Sequence, residues 1–214
     1  MKLSDIKVIK WLNRLATVVA VFYLIFLAVH VFTSNAPRAS NSLKGYNMYN
    51  VSAEYKDSKS PNTLKKWFND RVVVQPTSKA LVHLRFKSMS ELISGSAILY
   101  QLAQLTYWLI IGFLILCIKM LFSSFSKDKV FTKRNASLIL WGSTALIALP
   151  MVRWMAQELF INCIKTMNLN DSGYALTNGA SVIAAETLIG LALLAFGLTF
   201  KAGVDMKKEN ESFI

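Results

Sequence analysis

Six side chains with acid–base or amide hydrogen-bonding chemistry stand inside or at the margins of strongly apolar stretches of this sequence: His30, Gln101, Gln104, Arg153, Glu158 and Glu186. A charge held at bilayer depth costs about 2.5–3.5 kcal/mol on insertion scales, so each such group must pair, reach the interface or line a wet cavity. Two readings of the six are open. In one they form a polar pocket in which Glu186 pairs with Arg153 or His30 and the two glutamines supply amide hydrogen bonds, a binding site or a step in a gated path. In the other, Arg153 and Glu158 snorkel to headgroups, Glu186 sits favourably at the positive end of its helix, and Gln101 stitches helices together. The two cysteines, Cys117 and Cys163, and two histidines are too few for a disulfide framework or a multi-ligand metal site. No metal or cofactor is expected. His-Glu-x-x-His, Gly-x-Ser-x-Gly, a phosphate loop and Cys-x-x-Cys are all absent from the sequence, and its apolar stretches hold no aspartate, so catalysis is not expected either.

The elements that must position these residues follow from hydropathy. Of the 214 residues, 54% are hydrophobic and 17% charged, with a mean hydropathy of +0.40. A soluble chain carries about a quarter of its residues as charges. Crossing about 30 Å of hydrocarbon takes roughly 20 apolar residues at 1.5 Å each, and four stretches qualify. They run from about 11 to 32, 96–118, 136–160 and 180–200, the third containing Pro150. The basic flank of the first and the Ser34-Asn35-Ala36 that follows it resemble a signal peptide. Its 18 uncharged residues, Leu15 to Phe32, exceed a signal core, and the sequence favours a retained anchor. The fold expected is an all-α membrane protein, a four-transmembrane-helix bundle.

Basic residues near a helix end resist translocation. Lys2, Lys7, Lys10 and Arg14 precede the first stretch, Lys119, Lys127, Lys129, Lys133 and Arg134 occupy the 119–135 connection, and Lys201, Lys207 and Lys208 follow the fourth. The third connection has only Arg153 and Lys165. The expected arrangement is multi-pass in a bacterial cytoplasmic (inner) membrane with both termini cytoplasmic, which places all six polar residues in the extracytoplasmic half.

Between the first two stretches lies a long segment, 33–91, with ten basic residues against four acids. Tyr46 to Tyr55, Arg71 to Gln75 and the alternating Ala80 to Phe86 read as strands, with a turn at Pro76-Thr77-Ser78 and a short helix near Thr63 to Phe68. These predict a small β-containing extracytoplasmic loop, a hairpin plus a third strand, acting as a cap or a binding surface. The domain plan is therefore 1–32, 33–91 and 92–214. The excess of 24 Lys plus Arg over 12 Asp plus Glu would suggest nucleic acid in a soluble protein, but no basic helix with interleaved aromatics is present. No direct nucleic-acid binding is expected; the lipid bilayer is the expected partner, and oligomeric state is left open.

Two segments carry a resemblance. Lys129-Val130-Phe131-Thr132-Lys133-Arg134-Asn135 resembles the Val-Phe-Thr-x-x-Asn segment of the bacterial membrane family DUF2975. The run from Phe200 through Gly203, Val204, Met206, Lys207, Glu209 and Asn210 to Ile214 is similar to that family's Phe-x-x-Gly-x-x-Leu-Lys-x-Glu-Asn ending, with Met206 in place of Leu and Ser212-Phe213 in place of Leu-Thr. The family has no established activity, and its members are often encoded beside a small helix-turn-helix regulator. The resemblance thus implies a binding or regulatory role with such a regulator as cytoplasmic partner, on a face that carries Phe131, Thr132, Asn135, Gly203, Glu209 and Asn210. The competing reading is a small transporter or ligand sensor using the outward polar cluster.

Overall fold

A computed structural model describes residues 6–33, 48–55, 79–85, 93–166 and 174–212. Four helices dominate it: α1 (Lys7–Thr33), α2 (Gly95–Phe125), α3 (Lys133–Thr166) and α4 (Ala185–Ser212). All four are long and apolar enough to cross a membrane. The helices outrun the apolar stretches that announce them. At 1.5 Å per residue the 34 residues of α3 span about 51 Å, well beyond a hydrocarbon core of about 30 Å. Backbone hydrogen bonding continues into polar turns, where water competes but does not win.

The chain falls into two units. The first contains α1, residues 102–154 and residues 181–214. Here α1 is tied to α2 by the Tyr23 hydroxyl, which donates to the Trp108 carbonyl, and by the Phe26 and Trp108 rings, 5.3 Å apart edge to face. Gly112 leaves room for the Tyr23 ring, which a Cβ there would meet at 2.9 Å. Helix α4 lies on α3 through two glycines seven residues apart. A Cβ at Gly190 would stand 2.7 Å from Ile147 Cγ1 and 3.1 Å from the Ser143 carbonyl; one at Gly197 would stand 3.0 Å from side-chain atoms of both Ile139 and Leu140. Small residues here serve packing within the chain, the close backbone approach that apolar helices use in lipid. Pro150 is buried in α3.

The second unit comprises residues 34–101 and 155–180. Its core is the start of α2 against the end of α3: Ala97, Tyr100, Phe160, Ile161, Cys163 and Ile164 are buried, with Leu159 and Leu176 packed on them. The Tyr100 and Phe160 rings lie 4.9 Å apart. A three-stranded antiparallel sheet belongs to this unit, in the order β2-β1-β3, with β1 (Met48–Tyr55) between β2 (Lys79–Arg85) and β3 (Tyr174–Thr177). Val51 faces Val82 in the β1/β2 ladder, and Ala53 faces Leu176 in β1/β3.

The sheet expected from 33–91 draws one of its strands from elsewhere. That strand, β3, comes from the connection between α3 and α4, so the 33–91 segment is completed by a piece of chain far along the sequence. A four-residue strand is too short to show alternation, and nothing in its residues announces it. The run Arg71 to Gln75, the turn at Pro76-Thr77-Ser78 and the stretch Thr63 to Phe68 lie outside the described residues.

Helix α4 also begins later than the apolar count suggests, at Ala185 rather than 180. Residues 180–184 are occupied otherwise. The Ala180 N–H donates to Gln157 Oε1 at 2.9 Å and to Asn178 Oδ1 at 3.0 Å. The Thr187 hydroxyl then accepts from the Ala184 N–H at 3.4 Å, the back-reaching half of a capping box.

Candidate functional site

Of the six polar residues singled out in the apolar stretches, Arg153 and Glu186 are brought together. Arg153 Nη1 lies 3.7 Å from Glu186 Oε1, and each side chain keeps more than a third of its surface exposed. Glu186 is the second residue of α4, in the first turn, where the unsatisfied N–H groups favour an anion. The pair thus joins two helices and retains spare hydrogen-bonding capacity on both partners.

The remaining four are placed differently. Glu158, in the second unit, accepts from Asn178 Nδ2 at 3.2 Å, while its neighbour Gln157 holds the Ala180 N–H. These two bonds pin the 178–180 backbone to α3. Gln101 and Gln104 are half-buried on α2. Gln101 belongs to the second unit and Gln104 to the first. His30 is in α1, and its side chain lies outside the described residues. Asn178 escapes sequence reading because its partner sits 20 residues earlier with no periodic relation to it.

The turn between α2 and α3 is built to a higher standard. Helix α2 closes with the Lys129 N–H bonded to the Ser124 carbonyl and the Asp128 N–H to the Phe125 carbonyl, both at 3.1 Å. That is the paired bonding of a Schellman motif, which needs a left-handed residue before its last donor. Asp128 supplies it with φ 58°. Asp tolerates this region better than most side chains. Four residues on, Thr132 caps α3, its hydroxyl accepting from the Asn135 N–H at 3.2 Å and its carbonyl from the Ala136 N–H at 3.1 Å.

Asn135 locks the turn. Its side chain is fully buried, and its amide nitrogen donates to the carbonyls of Lys129 at 2.6 Å and Val130 at 2.7 Å. The Ser124 hydroxyl also reaches the Lys129 carbonyl, at 2.7 Å. Phe131 then turns outward to stack on Phe200 of α4, centroids 5.2 Å apart and planes 15° apart. The Phe, Thr and Asn of the Val-Phe-Thr-x-x-Asn pattern are therefore accounted for physically, as a stacking ring, a helix cap and a buried latch, while Val130 contributes its backbone carbonyl.

The C-terminal residues divide. Phe200 carries the ring contact, and Val204, one turn on, is buried. Gly203 is different from Gly190 and Gly197, because a Cβ there would meet nothing within 4 Å. Glu209 and Asn210 are exposed on the last turns of α4, as is Met206. This end of the first unit thus presents an ordered turn stacked on a helix whose outer face is open.

The two segments that carry the sequence resemblance meet at the Phe131–Phe200 stack. A family model described as a protein of unknown function, DUF2975, matches residues 66–214, taking in everything from β2 to the end of α4. A search of curated proteins and one of solved structures each returned no match. With a match over well more than half its length and four helices able to span a bilayer, the chain is a multi-pass membrane protein that belongs to the DUF2975 family.

Proposed function

We propose that this protein acts by binding rather than by catalysis, from a bacterial cytoplasmic membrane with both termini inside, and that its cytoplasmic face docks a soluble regulatory protein. A small helix-turn-helix regulator is the partner the family resemblance implies. The observation that carries this reading is the Phe131–Phe200 stack with the Asn135 latch behind it. A connection that served merely to join two membrane helices needs no buried asparagine and no ring docked on a third helix. Order at that cost suits a surface whose shape is read by something else.

The charge pattern supports the orientation. Lys119, Lys127, Lys129, Lys133 and Arg134 gather at the α2–α3 turn, and Lys201, Lys207 and Lys208 at the end of α4. The sheet-containing unit is then extracytoplasmic. Cross-linking from a photoreactive group at Met206 in cells tests the docking: capture of a small DNA-binding protein, abolished by Phe200→Ala, is expected. Capture of none, with the protein folded and inserted, would leave the regulatory reading without support.

A second reading rests on Arg153 and Glu186, an ion pair with donors and acceptor lone pairs to spare, far along α3 from the Thr132 cap and at the start of α4. On that reading the pair engages a small polar ligand or lines a path for one. Solute flux into reconstituted vesicles, lost in Glu186→Gln, is the outcome that would favour it.

A further inference from the structure

Phe200 closes the apolar run of α4, yet the helix continues to Ser212. At 1.5 Å per residue Met206 stands about 9 Å past Phe200 along the axis and Asn210 about 15 Å past it. The headgroup layer on each side of a bilayer is only about 5–8 Å deep. Met206 is nonetheless 65% exposed. An apolar side chain at that level faces water instead of lipid. Helical spacing sets its surroundings: at about 100° per residue, Met206, Lys207 and Asn210 all fall within about 60° of the direction of Gly203. The three are exposed, and a Cβ on Gly203 would meet nothing within 4 Å. Buried Val204 points about 100° away, while Asp205 and Glu209 lie about 160° and 120° round the helix. The result is an open strip with an exposed thioether, one cation and its acidic neighbours turned aside.

The charge beside this strip is of one sign. Phe200 holds Phe131 against α4, and the turn that carries Phe131 exposes Lys127, Lys129, Lys133 and Arg134 against the single acid Asp128. Membrane topology accounts for the number of cations at this end, but it places none of them relative to Met206. Resting on the docking proposed above, we propose that the soluble partner meets the strip with an acidic segment, its carboxylates toward Lys207 and the lysines of the turn and an apolar side chain against Met206. Complementary charge of this kind orients an encounter, and exposed methionine is a favoured interface residue. A lipid headgroup would answer the cations and leave Met206 uncovered, beyond the reach of acyl chains. The same charge repels any surface that grips DNA, which is basic because it neutralises phosphates. A docked regulator therefore turns its DNA-contacting side away from this face.

The test uses the full-length protein inserted in its membrane in cells, with a photoreactive group in place of Asn210, one turn beyond Met206 on the same strip. Capture alone bears on docking, so the cross-linked stretch of the partner is sequenced by mass spectrometry, and a stretch of net negative charge is expected. Lys207→Glu and Lys129→Glu should each lower its capture by about tenfold, the scale of losing one exposed attraction and gaining a like-charge repulsion. Lys207→Arg should leave capture unchanged, as should Lys165→Glu, which alters net charge equally at the far end of α3. Met206→Gln should lower capture with no change of charge. A C-terminal label reached only from the cytoplasmic side shows that each variant still inserts. Capture that persists undiminished in both lysine reversals, or a cross-linked stretch that is basic, overturns the proposal and leaves docking in place. Capture of no protein removes docking and the acidic segment together, and cross-links to lipid alone would make the strip a membrane surface.

Discussion

Phe131 and Phe200 stack almost in parallel, 15° between their planes and 5.2 Å between centroids, and so join the α2–α3 turn to the second half of α4. Phe196, one turn before Phe200, adds a tilted ring at 6.1 Å. Aromatic pairs contribute about 0.5–1.5 kcal/mol beyond the area they bury. Phe131→Ala and Phe200→Ala should each destabilise the protein by roughly 1–2 kcal/mol, since Phe131 is half exposed and loses less than a core ring would. The double variant should lose less than the two together, by about 1 kcal/mol. Reversible unfolding in mixed detergent measures all three. Strict additivity would mean that the rings are neighbours without being coupled.

The latch behind that stack should matter more. Asn135 buries an amide that serves two carbonyls of the turn. Asn135→Ala removes a donor from both, though the Lys129 carbonyl keeps the Ser124 hydroxyl and the Val130 carbonyl keeps the Thr132 N–H, and a loss of about 1–3 kcal/mol is expected. Asn135→Asp should be worse, because an ionised carboxylate would face the same two carbonyl oxygens. Limited proteolysis at the α2–α3 turn provides the local readout, with cleavage appearing in Asn135→Ala while the spans stay protected.

What can be read in the residues alone divides along a physical line. The four crossings are legible because one quantity, an uncharged run matched to bilayer thickness, decides them. Arg153 and Glu186 are legible as one of two possible pairs, because a lone charge at depth demands a partner. Their companions are not, since Glu158 finds Asn178 on a connection that carries no pattern of its own. The Phe131–Phe200 stack is not legible either. Any exposed aromatic near a helix end is equally at home in the headgroup region, and only the packing of α4 on α3 through Gly190 and Gly197 sets which ring it meets.

Asp128 tests the turn from the opposite side. Its φ of 58° lies where a Cβ meets the following carbonyl, at a cost of roughly 1–2 kcal/mol for a residue unsuited to it. Asp128→Val should therefore destabilise by about that amount, whereas Asp128→Gly and Asp128→Asn should be tolerated. If valine and glycine proved equivalent in unfolding, the Schellman geometry would not be the conformation adopted in the membrane.

The Arg153–Glu186 pair should contribute little to stability. At 3.7 Å and with both partners more than a third exposed, its attraction is largely screened, and Glu186→Gln should shift unfolding by less than about 1 kcal/mol. A loss above roughly 2 kcal/mol would mean that the pair is dry in its native setting. The same variant is thus a clean probe of the ligand reading, because any large effect on flux could not be blamed on a lost fold.

Two glycines of α4 make the sharpest contrast. Gly190→Ala drives a Cβ to 2.7 Å from Ile147 and to 3.0 Å from its backbone nitrogen, and backbone cannot swing aside, so α3 and α4 must separate. Overpacking of this kind costs about 1–3 kcal/mol. Gly203→Ala meets open space and replaces a poor helix former by the best one, so stability should rise by up to about 1 kcal/mol. Helix propensity alone would then favour alanine at 203, and packing within the chain offers no counterweight. If Gly203→Ala stabilises the isolated protein while weakening capture of a soluble partner by a probe at Met206, the bare backbone at 203 is a place where that partner comes close. Should capture be unaffected, the proposed docking makes no use of the backbone at 203.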